Sequence, residues 1–288
     1  MLCATKSACA ICKGERVLYS VSAPFSVAAL CSCIEECKKC LGTCRGSSSS
    51  SRQTSKSPVS TVKHCVYPNP VNIVRAYNQA RIPARYSSAR LDYFENPSGN
   101  GAKEVLPRLK RWLAGYPKSA TRGILLSAEV GVGKTYLLTA LARSLAMRGI
   151  RVRFVDFFQL ISELKAAYTD GKADKQLMQP LLSAEVLIID ELGKGRNTDW
   201  EQTILDQLVM GRYNQGKVVI ASTNFSLEQQ QQSPMETYGK DGFNPDKFGQ
   251  LVDRVGYRVF SRLKESCDFY TLSGADYRSL KARAFDHM

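Results

Sequence analysis

The hydrophobic pattern of the chain changes rhythm near residue 123. Beyond that point, short and nearly unbroken apolar runs alternate with longer stretches whose apolar positions recur at helical spacing. The runs are Ile124-Leu125-Leu126, Val152 to Val155, Val186-Leu187-Ile188-Ile189 and Val218-Val219-Ile220. Each is too short for a helix and lacks the polar alternation of a half-exposed strand, so each predicts a strand buried on both faces. Between them, Leu137, Leu138, Leu141 and Leu145 mark one helix, 157–168 a second and 200–212 a third. Strands alternating with helices predict an α/β fold, a parallel sheet covered by helices on both faces.

Upstream the pattern weakens. Residues 66–116 form a helical lead-in, punctuated by Pro68, Pro70, Pro83 and Pro97, with clear helical spacing from Val105 to Leu113. Residues 47–65 read as a flexible linker, because the stretch from Gly46 to Pro58 is polar and of low complexity. Within residues 1–46, Cys9, Cys12, Cys31, Cys33, Cys37, Cys40 and Cys44 crowd into the span from 9 to 44. The expected organisation is therefore a cysteine-rich module (1–46), a linker (47–65), the lead-in (66–116) and a nucleotide-binding core (117–282). A head joined through such a linker is expected to leave the core undisturbed if it loses its fold.

The chemistry begins where the first core strand ends. Gly123 to Thr135 reads GILLSAEVGVGKT: an apolar strand, a glycine turn, then Lys134 and Thr135 opening a helix. That order is the context of a phosphate loop. Backbone N–H groups from Glu129 through Val130, Gly131, Val132, Gly133, Lys134, Thr135 and Tyr136 are expected to cradle ATP phosphates, aided by the helix N-terminus. Lys134 would reach the β- and γ-phosphates and Thr135 would hold Mg²⁺. The first glycine of the usual pattern is replaced by Ala128, which tolerates positive φ poorly. A second apolar strand ends on Asp190 and Glu191, where open α/β sheets bind ligands. Asp190 is placed near Mg²⁺ and Glu191 beside the attacking water. Asn224 ends the next strand and is a candidate contact to the γ-phosphate or its water.

Composition adds two constraints. Across 288 residues, 40 Lys+Arg against 26 Asp+Glu leave a net charge of +14, which favours an anionic partner, nucleic acid first. No run approaches the roughly 20 apolar residues of a membrane span, so no membrane partner is expected and the cytoplasm is the expected location. In that compartment clustered cysteines point to metal rather than disulfides. Cys9-Ala-Ile-Cys12-Lys-Gly14 and Cys37-Lys-Lys-Cys40-Leu-Gly42 are two CxxC turns, each followed by glycine. Together Cys9, Cys12, Cys37 and Cys40 would close a structural tetrahedral Zn²⁺ site. Cys31, Cys33 and Cys44 could replace one pair or join a second metal.

The GVGKT turn, the LIIDELG run (Leu187–Gly193), the Ser222-Thr223-Asn224 strand end and the late RVFSRLKE stretch (Arg258–Glu265) together resemble the DnaC/IstB family of AAA+ ATPases. The likeness covers about residues 100–280. It implies an AAA+ core of the ASCE P-loop type that hydrolyses ATP and self-associates with ATP between subunits. Lys134, Asp190, Glu191 and Asn224 take the family's catalytic positions, and Arg262 looks like the arginine finger, with Arg258 as the alternative. The implied partners are a replicative helicase and single-stranded DNA. Some loaders of the DnaI kind carry a small N-terminal zinc module that contacts the helicase, and the cysteine-rich head is similar in kind. A transposition helper of the IstB type shares the core motifs, and an adaptor using ATP as a static switch is a further alternative. Few residues follow Arg262, so the helical lid of many AAA+ proteins and its sensor 2 are expected to be missing.

Overall fold

A computed structural model describes residues 9–12, 15–32, 70–95, 100–169, 177–227 and 249–277. The first elements are an antiparallel hairpin, β1 (Val17–Ser22) and β2 (Phe25–Leu30), then helices α1 (Pro70–Ala80) and α2 (Asn100–Gly115). The α/β array begins with β3 (Gly123–Ala128), α3 (Lys134–Ala146), β4 (Val152–Asp156), α4 (Phe157–Thr169) and α5 (Gln179–Ser183). It continues through β5 (Val186–Asp190), α6 (Asp199–Tyr213), β6 (Val218–Thr223), α7 (Leu251–Val255), α8 (Tyr257–Ser266) and β7 (Cys267–Leu272).

Strands β3 to β7 make one five-stranded parallel sheet in the order β4-β5-β6-β3-β7. Its two faces follow from the alternation of side chains along each strand. Ile124 and Leu126 pack with Leu109 of α2 and Leu137 and Leu141 of α3. Leu125 points the other way, among Leu164 of α4, Leu208 of α6 and Leu263 of α8. Each fully buried Leu or Ile contributes roughly 1.5–3 kcal/mol, which is why these strands read as unbroken apolar runs. The order leaves β6 between β3 and β5, so Ser222 and Thr223 lie between the end of β3 and the acidic end of β5.

Two elements carry no comparable signal in the sequence. β7 sits at the sheet edge, and its Asp268 and Thr271 interrupt the apolar run; the strand is only partly buried. The β1–β2 hairpin is spelled with serines, yet Val17 and Ala28 enter the same hydrophobic cluster as α1 and α3. The Asn78 side chain accepts from Ala28 N at 2.7 Å and donates to Ala28 O at 3.0 Å. The hairpin thus packs on the core. Along α4, Phe157 is buried in the core while Phe158 is exposed. Among the described residues no helix is long and apolar enough to cross a membrane.

Part of the basic excess serves backbone carbonyls of the chain itself. Arg148 donates to the carbonyls of Leu113 and Tyr116 at the end of α2. Arg122 donates to those of Lys264, Glu265 and Cys267 and pairs with Asp268. Arg212 is fully buried and donates to the carbonyls of Leu181, Ala184, Glu185 and Val218, joining α5, β5 and β6. Burial lowers its pKa to about 10, still far above neutrality, so the guanidinium stays charged and its carbonyl partners compensate. Replacing Arg212 by Met keeps the stem and strips the donors, at a cost on the order of 3 kcal/mol. Urea unfolding of Arg212→Met should shift to clearly lower denaturant, with Arg212→Lys recovering part of the loss. An unchanged midpoint would show that the cage of carbonyls does not stabilise the fold.

Candidate nucleotide-binding site

β3 ends at Ala128 in strand conformation, without positive φ, so alanine costs nothing at a position where glycine is usual. The reversal falls instead on Gly131 (φ +84) and Gly133 (φ +108). A Cβ on Gly131 would lie 2.0 Å from Asp276 Oδ1, and one on Gly133 would lie 2.7 Å from the Phe94 ring. Both glycines are therefore demanded by backbone conformation and by close neighbours. α3 starts at once, with Gly133 as its N-cap. Lys134 is buried, and its Nζ donates to Ala128 O and Glu129 O at 2.7 Å each, so the loop wraps its own ammonium.

Sequence reasoning missed what holds this loop from outside. The Tyr136 hydroxyl bridges the backbone N and O of Arg90, both at 3.2 Å. Its ring sits among Tyr86 and Phe94, at centroid distances of 6.4 and 5.8 Å. After β7 the chain returns to the loop, where Tyr277 N donates to Gly131 O at 3.1 Å. The aromatic residues of 86–94 were visible in the sequence, but nothing local tied them to a turn forty residues later.

Across β6 lies the acidic end of β5. Asp190 is buried and accepts a hydrogen bond from the hydroxyl of Ser222, and the hydroxyl of Thr135 lies close enough to lower its pKa. The phosphate-loop threonine and the strand-end carboxylate thus meet, as a pair holding Mg²⁺ must. Burial raises the Asp190 pKa above the ordinary carboxylate value; the two hydroxyls oppose this, and Glu191 and Asp156 add to it. Glu191 has φ +57, and its carboxylate pairs with Lys194 at 2.6 Å. Its N–H donates to Ser222 Oγ at 3.1 Å, so one serine ties both acids to β6. Asn224 is half-buried, one residue beyond β6. A cleft runs from Thr135 and Asp190 past Asp156 and Arg153 to Arg81 and the hairpin turn at Pro24 and Phe25. The buried carboxylate, the hydroxyl beside it and the two left-handed glycines fit Mg²⁺ and a polyphosphate.

The remaining sequence candidates lie elsewhere. Arg262 of α8 stacks on Tyr213 at 4.8 Å and approaches Glu265 at 3.5 Å; Arg258 is more exposed and stands 3.9 Å from Asp206. Cys9 and Cys12 come together with Cys31, which the paired CxxC reading left over. Cys37 and Cys40 lie outside the described residues.

The raised pKa of Asp190 carries a stability consequence. Between the ordinary carboxylate value and its own, the folded state holds a proton that the unfolded chain has released. This stabilisation is full at low pH and is lost as pH rises through the folded pKa. Ionising the buried carboxylate thus costs stability as pH rises through the folded pKa. Relative to the parent, Asp190→Asn should gain melting temperature as pH rises from ~4, because the amide cannot ionise. A relative melting temperature that falls as pH rises would contradict this account of Asp190.

The family described as IstB-like ATP binding protein matches residues 79–236. An insertion-sequence protein of Mycobacterium tuberculosis, described as ATP-binding, is 28% identical over 186 residues, 64% of this chain and 67% of the relative. The replicative helicase loader DnaC of Escherichia coli is 27% identical over 106 residues, 36% of this chain. That match spans 43% of the loader, less than half of its length. The crystal structure of the DnaC helicase loader aligns with a TM-score of 0.53 at 28% identity, covering 66% of this chain and 99% of that one. Both share the AAA+ arrangement of a parallel sheet between helices. The family match takes in more than half of the chain, from the lead-in through the phosphate loop and the acidic strand to beyond β6, and the chain belongs to the IstB-like ATP binding protein family.

Proposed function

We propose that this chain is an ATP-hydrolysing AAA+ factor that loads or remodels a replicative helicase on DNA, acting in the cytoplasm, with residues 117–282 as its ATPase core. The observation that carries the reading is the meeting of Thr135 and Asp190 beneath a loop whose lysine is already turned inward. Mg²⁺-ATP supplies the phosphoanhydride bond and a cation that draws charge from its oxygens. Lys134 exchanges the carbonyls of Ala128 and Glu129 for phosphate oxygens. Thr135 and Asp190 hold the cation. Glu191 leaves Lys194 to orient and polarise water, and Asn224 lies beside the same strand ends. Zn²⁺ bound by N-terminal cysteines completes the reading, as a structural ion in a docking module.

Removing Lys134 (Lys134→Ala) should abolish tight ATP binding. Glu191→Gln should keep binding and lower hydrolysis by 10²–10⁴-fold, the usual range for loss of a general base. Turnover is to be measured with and without single-stranded DNA, which should stimulate the parent. Parent-rate hydrolysis by Glu191→Gln would remove Glu191 from the chemistry.

Arg262 keeps the role of arginine finger, acting on the ATP of a neighbouring subunit from the α6–α8 surface where Tyr213 and Glu265 hold it. Such a guanidinium is worth 10³–10⁵-fold in related phosphoryl transfer. Arg262→Ala should bind ATP normally yet turn it over slowly. Mixed with Lys134→Ala, it should recover part of the activity, because one chain offers an intact site and the other an intact finger. Normal turnover by Arg262→Ala alone, with no recovery in mixtures that co-assemble, would pass the role to Arg258 or end it.

A second reading, a transposition helper of the IstB type, is favoured by the family match and by the insertion-sequence relative. The loader reading is supported by the match along nearly all of the DnaC structure. Co-elution of the purified chain with its host's replicative helicase is expected. Co-elution with a transposase instead would favour the helper.

A further inference from the structure

Cys9, Cys12 and Cys31 gather at the foot of the β1–β2 hairpin. Their three sulfurs lie within 4.8 Å of one another, and those of Cys9 and Cys31 are 3.9 Å apart. Zn–S bonds of about 2.3 Å in a tetrahedron set sulfurs roughly 3.8 Å apart, so this is the spacing of ligands around one ion. Cys12 and Cys31 are 5% and 2% exposed, which places most of the site out of water. The backbone fixes both. Glu15 N donates to Cys12 O at 2.9 Å, closing the turn before β1, and Cys31 N donates to Arg16 O at 3.0 Å, tying the end of β2 to the start of β1. The cluster thus joins the two open ends of the hairpin.

A two-stranded hairpin is marginal by itself in water. Here Val17 and Ala28 enter the hydrophobic cluster and Tyr19 packs against it, and further attachments hold the hairpin at both ends. At the far end, Ser26 N donates to Ile82 O at 2.8 Å and Ala84 N donates to Pro24 O at 3.0 Å. Along its length, Ser26 Oγ and Tyr77 Oη share a hydrogen bond of 3.0 Å, and Asn78 grips Ala28 on both backbone groups. The Tyr19 ring lies 5.0 Å from the guanidinium of Arg143, a residue of the phosphate-loop helix α3. The hairpin turn at Pro24 and Phe25 lines the cleft that ends at Thr135 and Asp190.

We infer that Cys9, Cys12 and Cys31 supply three of the four ligands of a structural Zn²⁺, and that this ion fastens the hairpin as a wall of the nucleotide domain, so that metal occupancy sets that domain's thermal stability. The inference rests on the zinc element of the proposed function and deepens it. It brings Cys31 into the ligand set and gives the ion a task next to the ATP site. On binding, each thiol releases its proton to solvent and coordinates as thiolate; no electron is transferred.

The test uses the full chain purified under reducing conditions, with bound zinc quantified by mass spectrometry and melting followed before and after a chelator. About one zinc per chain is expected for one such site, and Cys31→Ser should lose it. Chelation of the parent should lower the melting temperature by about 4 °C or more, and added Zn²⁺ should restore it. Asn78→Ala leaves the cysteines intact, so it should keep its zinc yet respond less to chelation, because the hairpin's clasp is already cut. If Cys31→Ser does not fold, the chelation and add-back series on the parent and on Asn78→Ala still decides. A full zinc complement in Cys31→Ser would overturn the ligand set, and a metal-free chain with a Cys9–Cys31 disulfide would overturn the zinc site altogether. Zinc that leaves without moving the melting temperature would overturn the fastening alone.

Discussion

The structure depends on one backbone reversal, between the end of β3 and the start of α3. Strand β3 is buried on both faces and α3 is buried along most of its length, so neither can shift to accommodate the turn. The chain must reverse within Glu129 to Gly133, and it does so through two left-handed glycines. Phe94 and the Asp276–Tyr277 segment press on the outside of the turn. A loop fixed by packed elements on one side and by neighbours on the other is preorganised for its ligand, which is what a phosphate cradle requires.

The reversal also sets up an electrostatic tension. Lys134 and Asp190, 7% and 4% exposed, are buried ionisable groups, one basic and one acidic. Lys134 donates to two carbonyls, and Asp190 accepts from the Ser222 hydroxyl with that of Thr135 nearby. Burying an ionisable group is costly. A polyphosphate for the lysine and a divalent cation for the carboxylate would relieve both at once.

Much of this was legible in the sequence because it is local. The unbroken runs around Leu125, Ile188 and Ile220 mark strands buried on both faces, and the phosphate loop and the Asp190-Glu191 pair are contiguous stretches. What stayed hidden depends on distance along the chain. The aromatic wall of Tyr86, Phe94 and Tyr136 and the return of Tyr277 to Gly131 arise only from the fold. Ser222 reads as an ordinary strand residue, yet it organises both acids. The hairpin was obscured by serines on a strand pair whose stability comes from attachments at its ends. Regular CxxC spacing singled out Cys9, Cys12, Cys37 and Cys40, and the hairpin also carries Cys31 back across its width to Cys9 and Cys12. Basicity was ambiguous for a similar reason, since arginines such as Arg122, Arg148 and Arg212 serve backbone carbonyls of their own chain.

The central claim is that Thr135 and Asp190 form one cation corner beneath the phosphate loop. Its most direct test is calorimetric titration of a non-hydrolysable ATP analogue, with and without Mg²⁺, into the parent and into Thr135→Val. The account predicts saturable binding by the parent that Mg²⁺ tightens markedly. In Thr135→Val the analogue should still bind, with the Mg²⁺ enhancement largely gone. An enhancement of equal size in both proteins, or no saturable binding by the parent, would contradict it.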